Sequence, residues 1–95
     1  MPYTIITTTN ARRDIQQAID WENMRKPGLG EYFLNDFEAK QNDLAITPAM
    51  GSNRYENVRI TFTRIFPYNI HYIIDDGKQL VIILRVLSQN KEPIY

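Results

Sequence analysis

Two apolar runs, PYNIHYII at 67–74 and QLVIILRVL at 79–87, are separated by only Asp75, Asp76, Gly77 and Lys78. So short a connection, rich in residues that accept positive φ, forces the runs into an antiparallel hairpin. Once that hairpin exists, the rest of the chain has to cover its apolar face. Two registers are open. With Asp76 and Gly77 alone as the loop, Tyr68, Ile70 and Tyr72 share a face with Arg85, and Asn69 and His71 share the other with Leu80, Ile82 and Leu84. With Asp75 to Gly77 as a three-residue loop, Tyr68, Ile70, Tyr72 and Ile74 line up with Leu80, Ile82, Leu84 and Val86 as one apolar face. The second register gathers the larger core, and we adopt it.

The preceding run, NVRITFTR, alternates cleanly. Val58, Ile60 and Phe62 are expected on the core face, and Arg59, Thr61 and Thr63 on the other. The opposite face of the hairpin then carries Asn69, His71, Ile73, Val81, Ile83, Arg85 and Leu87 beside Arg59, Thr61 and Thr63. This mixture of apolar and basic residues suits a protein partner.

Upstream, YTIITT is a β-branched strand candidate. NARRDIQQAIDWENMRK repeats Ala11, Ile15, Ala18 and Ile19 at helical spacing, with Thr9 or Asn10 as cap and Arg25 and Lys26 at the negative end of the dipole. Pro27 and Gly28 stop it. EYFLNDFEAKQNDLAI places Phe33, Leu34, Phe37 and Leu44 on one face of a second helix that Pro48 ends, and the short KPGLG link makes the two helices an antiparallel hairpin. KPGLG and TPAMGSN read as turns.

A chain of 95 residues supports one domain, residues 1–95. With no cysteine there is no disulfide, thiolate nucleophile or cysteine-bound metal, and neither a metal site nor a cofactor is expected. Eleven basic residues balance eleven acidic ones, so the overall positive field of a non-specific nucleic-acid binder is missing. The sequence offers no membrane span and no export segment, which makes a cytoplasmic location the expectation.

The order of strand, helix hairpin and three-stranded meander, filled by ARRDIQQAIDW, LAITPAMG, VRITFTRIFPYNIHYII and LVIILRVLSQNKEP, resembles the RelE/ParE family of bacterial type II toxin-antitoxin toxins. The resemblance implies an α+β fold, with both helices on one face of the sheet. It also implies a growth-inhibiting toxin that forms a hetero-oligomer with a cognate antitoxin. ParE-like members inhibit DNA gyrase; RelE-like members cleave mRNA on the ribosome with lysines and arginines on the meander, an arginine in the tail and a C-terminal tyrosine. This sequence departs from the RelE-like set: Asn69 stands where an arginine is expected, Gln89 falls near the tail arginine, Ser88 stands where other branches carry a tail histidine, and only Tyr95 matches by spacing. The resemblance therefore points to the ParE-like branch, and the same departures equally fit a family member that has lost its toxicity and acts only as a binding module.

Should the chain cleave RNA, the candidates are His71 as acid or base, with Arg59, Arg64, Lys91 and Tyr95. The simpler reading of His71 is a histidine on a strand surface, and of the arginines a solvated or salt-bridged state. The candidate partner-binding set is Arg59, Thr61, His71, Ile73, Val81, Ile83 and Arg85. Trp21 is read as packing or as a contact for an antitoxin helix, Tyr68 and Tyr72 as core residues with rim hydroxyls, and Arg12 and Arg13 as a solvated helix face.

Overall fold

The computed structural model describes residues 2–89; Lys91 and Tyr95 lie outside the described residues. A strand β1 (Thr4–Thr7) leads into helices α1 (Thr9–Arg25) and α2 (Leu29–Ile46), and a 3-10 turn (Pro48–Met50) follows. Four further strands complete the chain: β2 (Ser52–Tyr55), β3 (Val58–Phe62), β4 (Tyr68–Asp75) and β5 (Leu80–Ser88). The sheet order is β1-β5-β4-β3-β2, with β1 parallel to β5 and every other pair antiparallel. Phe33, Phe37 and Leu44 of α2 and Ala11 and Ala18 of α1 form one core with Ile70, Tyr72, Val81, Ile83 and Val86 of the sheet. Both helices therefore cover the same face, as the family resemblance implies.

The α1 cap is Thr8 rather than Thr9 or Asn10: its hydroxyl accepts from the Ala11 N–H at 3.1 Å and also donates to the Leu84 carbonyl at 3.2 Å. The buried residues of α1 are Ala11, Asp14, Ala18 and Glu22, so two carboxylates share the face turned to the sheet, while Ile15 and Ile19 are only partly buried. Gly28, at φ +95°, turns the chain into α2. At Gly30 a Cβ would come within 2.5 Å of the Ile19 carbonyl oxygen, so glycine is what lets the two helices meet closely.

Three sequence expectations fail in the sheet. TPAMGSN is not turn alone: Ser52–Tyr55 forms an edge strand whose residues are all exposed. It carries no apolar alternation because it covers nothing, and pairing with β3 alone makes it a strand.

The hairpin register also differs. Asp75 pairs with Leu80 across a four-residue turn, 76–79, in which Gln79 takes φ +54°. Tyr72 consequently pairs with Ile83 and Ile74 with Val81. Val81 and Ile83 are fully buried in the core, while Ile82 pairs with Ile73 on the opposite face. Between Tyr72↔Ile83 and His71↔Arg85 the ladder skips Leu84, a β-bulge that switches parity so that Val86, not Arg85, returns to the core. Ile82 and Ile70 thus lie on opposite faces, against the adopted register.

The third failure is the facing of β3. Thr61 pairs with Ile70 and Arg59 with Tyr72, which places both on the helix-covered side; Ile60 pairs with His71 and Phe62 with Asn69 on the other. Val58 and Ile60 are buried yet stand outside the core cluster, and Phe62 is exposed. Alternation shows that two faces differ, but not which one the helices take, and here they take the polar set, in which the Arg59 guanidinium donates to the Gly51 carbonyl and the Thr63 hydroxyl to the Phe66 carbonyl.

Candidate functional site

Cross-strand register assembles the face that no helix covers. One row joins Phe62, Asn69 and Leu87, the next joins Ile60, His71 and Arg85, and a third joins Ile73, Ile82 and Ile6 of β1. Phe62, Leu87 and Ile6 are exposed, and Asn69 holds its buried Oδ1 without a partner among the described residues. Tyr55 leans on this face with its hydroxyl 3.4 Å from Nδ1 of His71. Burial, and then the guanidinium of Arg85, hold the His71 imidazole below its ordinary pKa; Asp14 opposes them and Arg54 adds to them. His71 is accordingly neutral at pH 7, with two arginines nearby.

Of the residues expected to share this face, Asn69, His71, Ile73, Arg85 and Leu87 do. Val81 and Ile83 are core residues, and Thr61 is buried on the helix side. Arg59 is structural: its Nη1 donates to the Gly51 carbonyl at 2.7 Å and reaches the Ala49 carbonyl at 3.4 Å, anchoring the 3-10 turn. Arg64 sits in the β3–β4 loop, 3.4 Å from Asp43 of α2, away from His71. Trp21 is exposed on one side and lines a cleft of about 100 Å³ with Asp14, Tyr68, Arg85 and Ser88.

Asp14, which the sequence reading passed over, fixes Arg85. Beyond Thr7 the outer edge of β5 has no strand beside it, and Asp14 takes that place. Its carboxylate accepts from Nε and Nη2 of Arg85 at 2.7 and 3.1 Å and from the Val86 N–H at 2.9 Å. The pair raises the Arg85 pKa further and partly neutralises its charge at the face. Glu22 plays a parallel part, accepting from the buried Tyr68 hydroxyl at 2.8 Å and pairing with Arg25 at 2.7 Å. Burial and Glu22 together push the Tyr68 hydroxyl well above its ordinary pKa. The recurrence of Asp14, Ala18 and Glu22 every four residues is the sequence signal that could have revealed this face. Among the described residues no group of three or more His, Asp or Glu side chains could hold a metal ion.

The lowered pKa of His71 gives a pH dependence. The unfolded chain binds a proton there more readily than the folded one, so this contribution to stability is complete above about pH 6.5 and falls away as pH drops toward the folded value. His71→Gln should therefore show a smaller fall in melting temperature between pH 7.5 and pH 5.5 than the wild type. Parallel melting curves across that interval would contradict the burial of the ring and, after it, the proximity of Arg85.

The family described as "ParE toxin of type II toxin-antitoxin system, parDE" matches residues 5–93. Among solved structures, the chain is similar to one in the RelBE2 toxin-antitoxin complex of Mycobacterium tuberculosis. They are 28% identical, with a TM-score of 0.67 over 94% of this chain and 100% of that one. It is also similar to a chain of the chromosomal ParDE system of P. aeruginosa, with 17% identity, TM-score 0.77, and 90% and 95% coverage. A third likeness is to the isolated E. coli RelE toxin, with 16% identity, TM-score 0.68, and 98% and 90% coverage. The last two likenesses bear on fold alone. No curated protein matches the chain.

Proposed function

This chain belongs to the ParE toxin family of type II toxin-antitoxin systems, and from that premise we propose that when free it inhibits DNA gyrase in the cytoplasm, and that a cognate antitoxin silences it by seating on the helix-free face of the sheet. The observation that carries the antitoxin reading is the composition of that face. Exposed Phe62 and Leu87 flank a row in which His71 and Arg85 are paired. An antitoxin segment with apolar residues and acids would exclude water from the first pair and complement the guanidinium of Arg85 in the second. Gyrase as target is supported by membership of the ParE family and by Asn69, a neutral residue where the RelE-like branch carries arginine.

A second reading, RelE-like cleavage of mRNA on the ribosome, draws on one observation: a neutral His71, a tyrosine hydroxyl 3.4 Å away and nearby Arg85 and Arg54 have the kinds of group a general base and a phosphate clamp require. Expression without antitoxin separates the two. Gyrase inhibition predicts disordered nucleoids and loss of supercoiling by purified gyrase with reporter mRNA intact. Mapped cuts in a ribosome-bound reporter with unchanged supercoiling would replace it with the second reading.

The docking face has its own test. Leu87→Asp and Phe62→Ser should each speed antitoxin dissociation roughly tenfold or more, which corresponds to about 1.4 kcal/mol, while the free toxin stays folded. Arg54→Glu should weaken binding and reduce its salt sensitivity. Unaltered dissociation in all three variants would move the antitoxin off this face.

A further inference from the structure

The β3–β4 loop, residues 63–67, is tied down along its backbone. The buried Asp36 carboxylate accepts from the N–H groups of Arg64, Ile65 and Phe66. The Thr63 N–H donates to the Tyr68 carbonyl at 3.1 Å, the Tyr68 N–H to the Phe66 carbonyl at 2.9 Å, and the Gln89 N–H to the Pro67 carbonyl at 2.7 Å. Every N–H from Thr63 to Tyr68 is therefore bonded, since Pro67 has none. Yet this fixed loop carries Ile65, 61% exposed, whose apolar side chain contributes almost nothing to the fold. The helix hairpin closes the same end of the molecule. Glu22 accepts from the Tyr68 hydroxyl at 2.8 Å, and Tyr32, half exposed, meets Phe66 edge-on with ring centres 5.6 Å apart. Cations stand around the two exposed side chains. Lys26 has no ion-pair partner among the described residues, and Arg64 reaches Asp43 only at 3.4 Å with its side chain largely in water.

We infer that this end of the molecule is the surface by which the free chain grips DNA gyrase, with Ile65 and Tyr32 seated in an apolar depression of the enzyme whose rim carries acids for Lys26 and Arg64. The inference rests on the gyrase reading above. Three features favour this occupant. An apolar anchor on a backbone already fixed loses little entropy on binding. The surrounding cations call for an acidic partner, and a second copy, which would bring the same cations into one interface, does not supply it. The surface is also continuous with the antitoxin face: only Thr63 and Arg64 separate Ile65 from Phe62 at the end of β3. An antitoxin covering Phe62 thus stands beside Ile65 and keeps a partner the size of gyrase away, which is how binding on one face silences the other.

The test is inhibition of supercoiling by purified gyrase, with antitoxin dissociation and thermal melting measured on the same variants. Ile65→Ser leaves the loop amides and Asp36 untouched and should melt within about two degrees of the wild type. The concentration giving half-inhibition should nevertheless rise roughly tenfold or more, while antitoxin dissociation stays unchanged. Lys26→Gln combined with Arg64→Gln should weaken inhibition at low salt and much less at high salt. A wild-type chain that inhibits gyrase, with Ile65→Ser inhibiting equally well, would overturn this surface and leave the gyrase reading standing. A wild-type chain that leaves supercoiling untouched would overturn both. Faster antitoxin dissociation from Ile65→Ser with unchanged inhibition would assign the loop to the antitoxin, and self-association of the free chain abolished by Ile65→Ser would assign it to a second copy. An equal loss of binding to bare DNA by the double variant would overturn the acidic protein partner in favour of DNA phosphates.

Discussion

Ile83→Asp should abolish folding, and Ile82→Asp, one residue away, should not. Ile83 is fully buried between β1 and β4, in the cluster that contains Tyr72, Phe37 and Leu44. A carboxylate there has no partner, and its burial costs several kcal/mol against a total stability of about 5–15 kcal/mol for a domain. Ile82 lies on the helix-free face, where an aspartate can reach water. Loss of its packing with Ile73 and Ile6 should cost about 1 kcal/mol, a fall in melting temperature of roughly 4–8 °C. Circular dichroism of the two variants decides the register: a folded Ile83→Asp with an unfolded Ile82→Asp would restore the three-residue loop.

The second large effect is expected at Asp36. This α2 carboxylate is buried and accepts from three consecutive backbone amides of the β3–β4 loop: Arg64 at 3.3 Å, Ile65 at 2.9 Å and Phe66 at 2.9 Å. The loop has no other partner for these groups in view, and Phe66 packs edge-on against both Phe33 and Tyr32 only if they are held. Asp36→Ala leaves the three donors unpaired and should cost about 3 kcal/mol, lowering the melting temperature by roughly 12–24 °C. Asp36→Asn keeps an acceptor and should recover part of the loss. A shift below a few degrees for the alanine variant would mean that water replaces the carboxylate without cost.

The helix hairpin was legible because its signals are local. Pro27, Gly28 and Pro48 break helices wherever they stand, and Phe33, Phe37 and Leu44 repeat at the helical period whatever lies opposite. The apolar hairpin of β4 and β5 was equally plain, since strands so close in sequence have no other way to pair. His71, Ile73 and Arg85 were rightly placed on the helix-free face, because their spacing from Tyr72 and Val86 survives any register that buries the tyrosine and the valine.

The sequence by itself determined the fold class: one strand, two amphipathic helices and apolar antiparallel strands, with no cysteine to permit a stapled alternative. Tertiary structure alone decided which residues of those strands are core. Leu80 to Val86 are apolar at every position but one, so period-two alternation carries almost no information there. The choice falls to the four-residue turn, the skipped Leu84, and Asp14, whose carboxylate holds Arg85 and the Val86 amide at the uncovered edge of β5. Those contacts join residues some seventy positions apart in the chain. Only the folded sheet brings them together, and with them it sets which isoleucines meet the helices and which lie on the helix-free face.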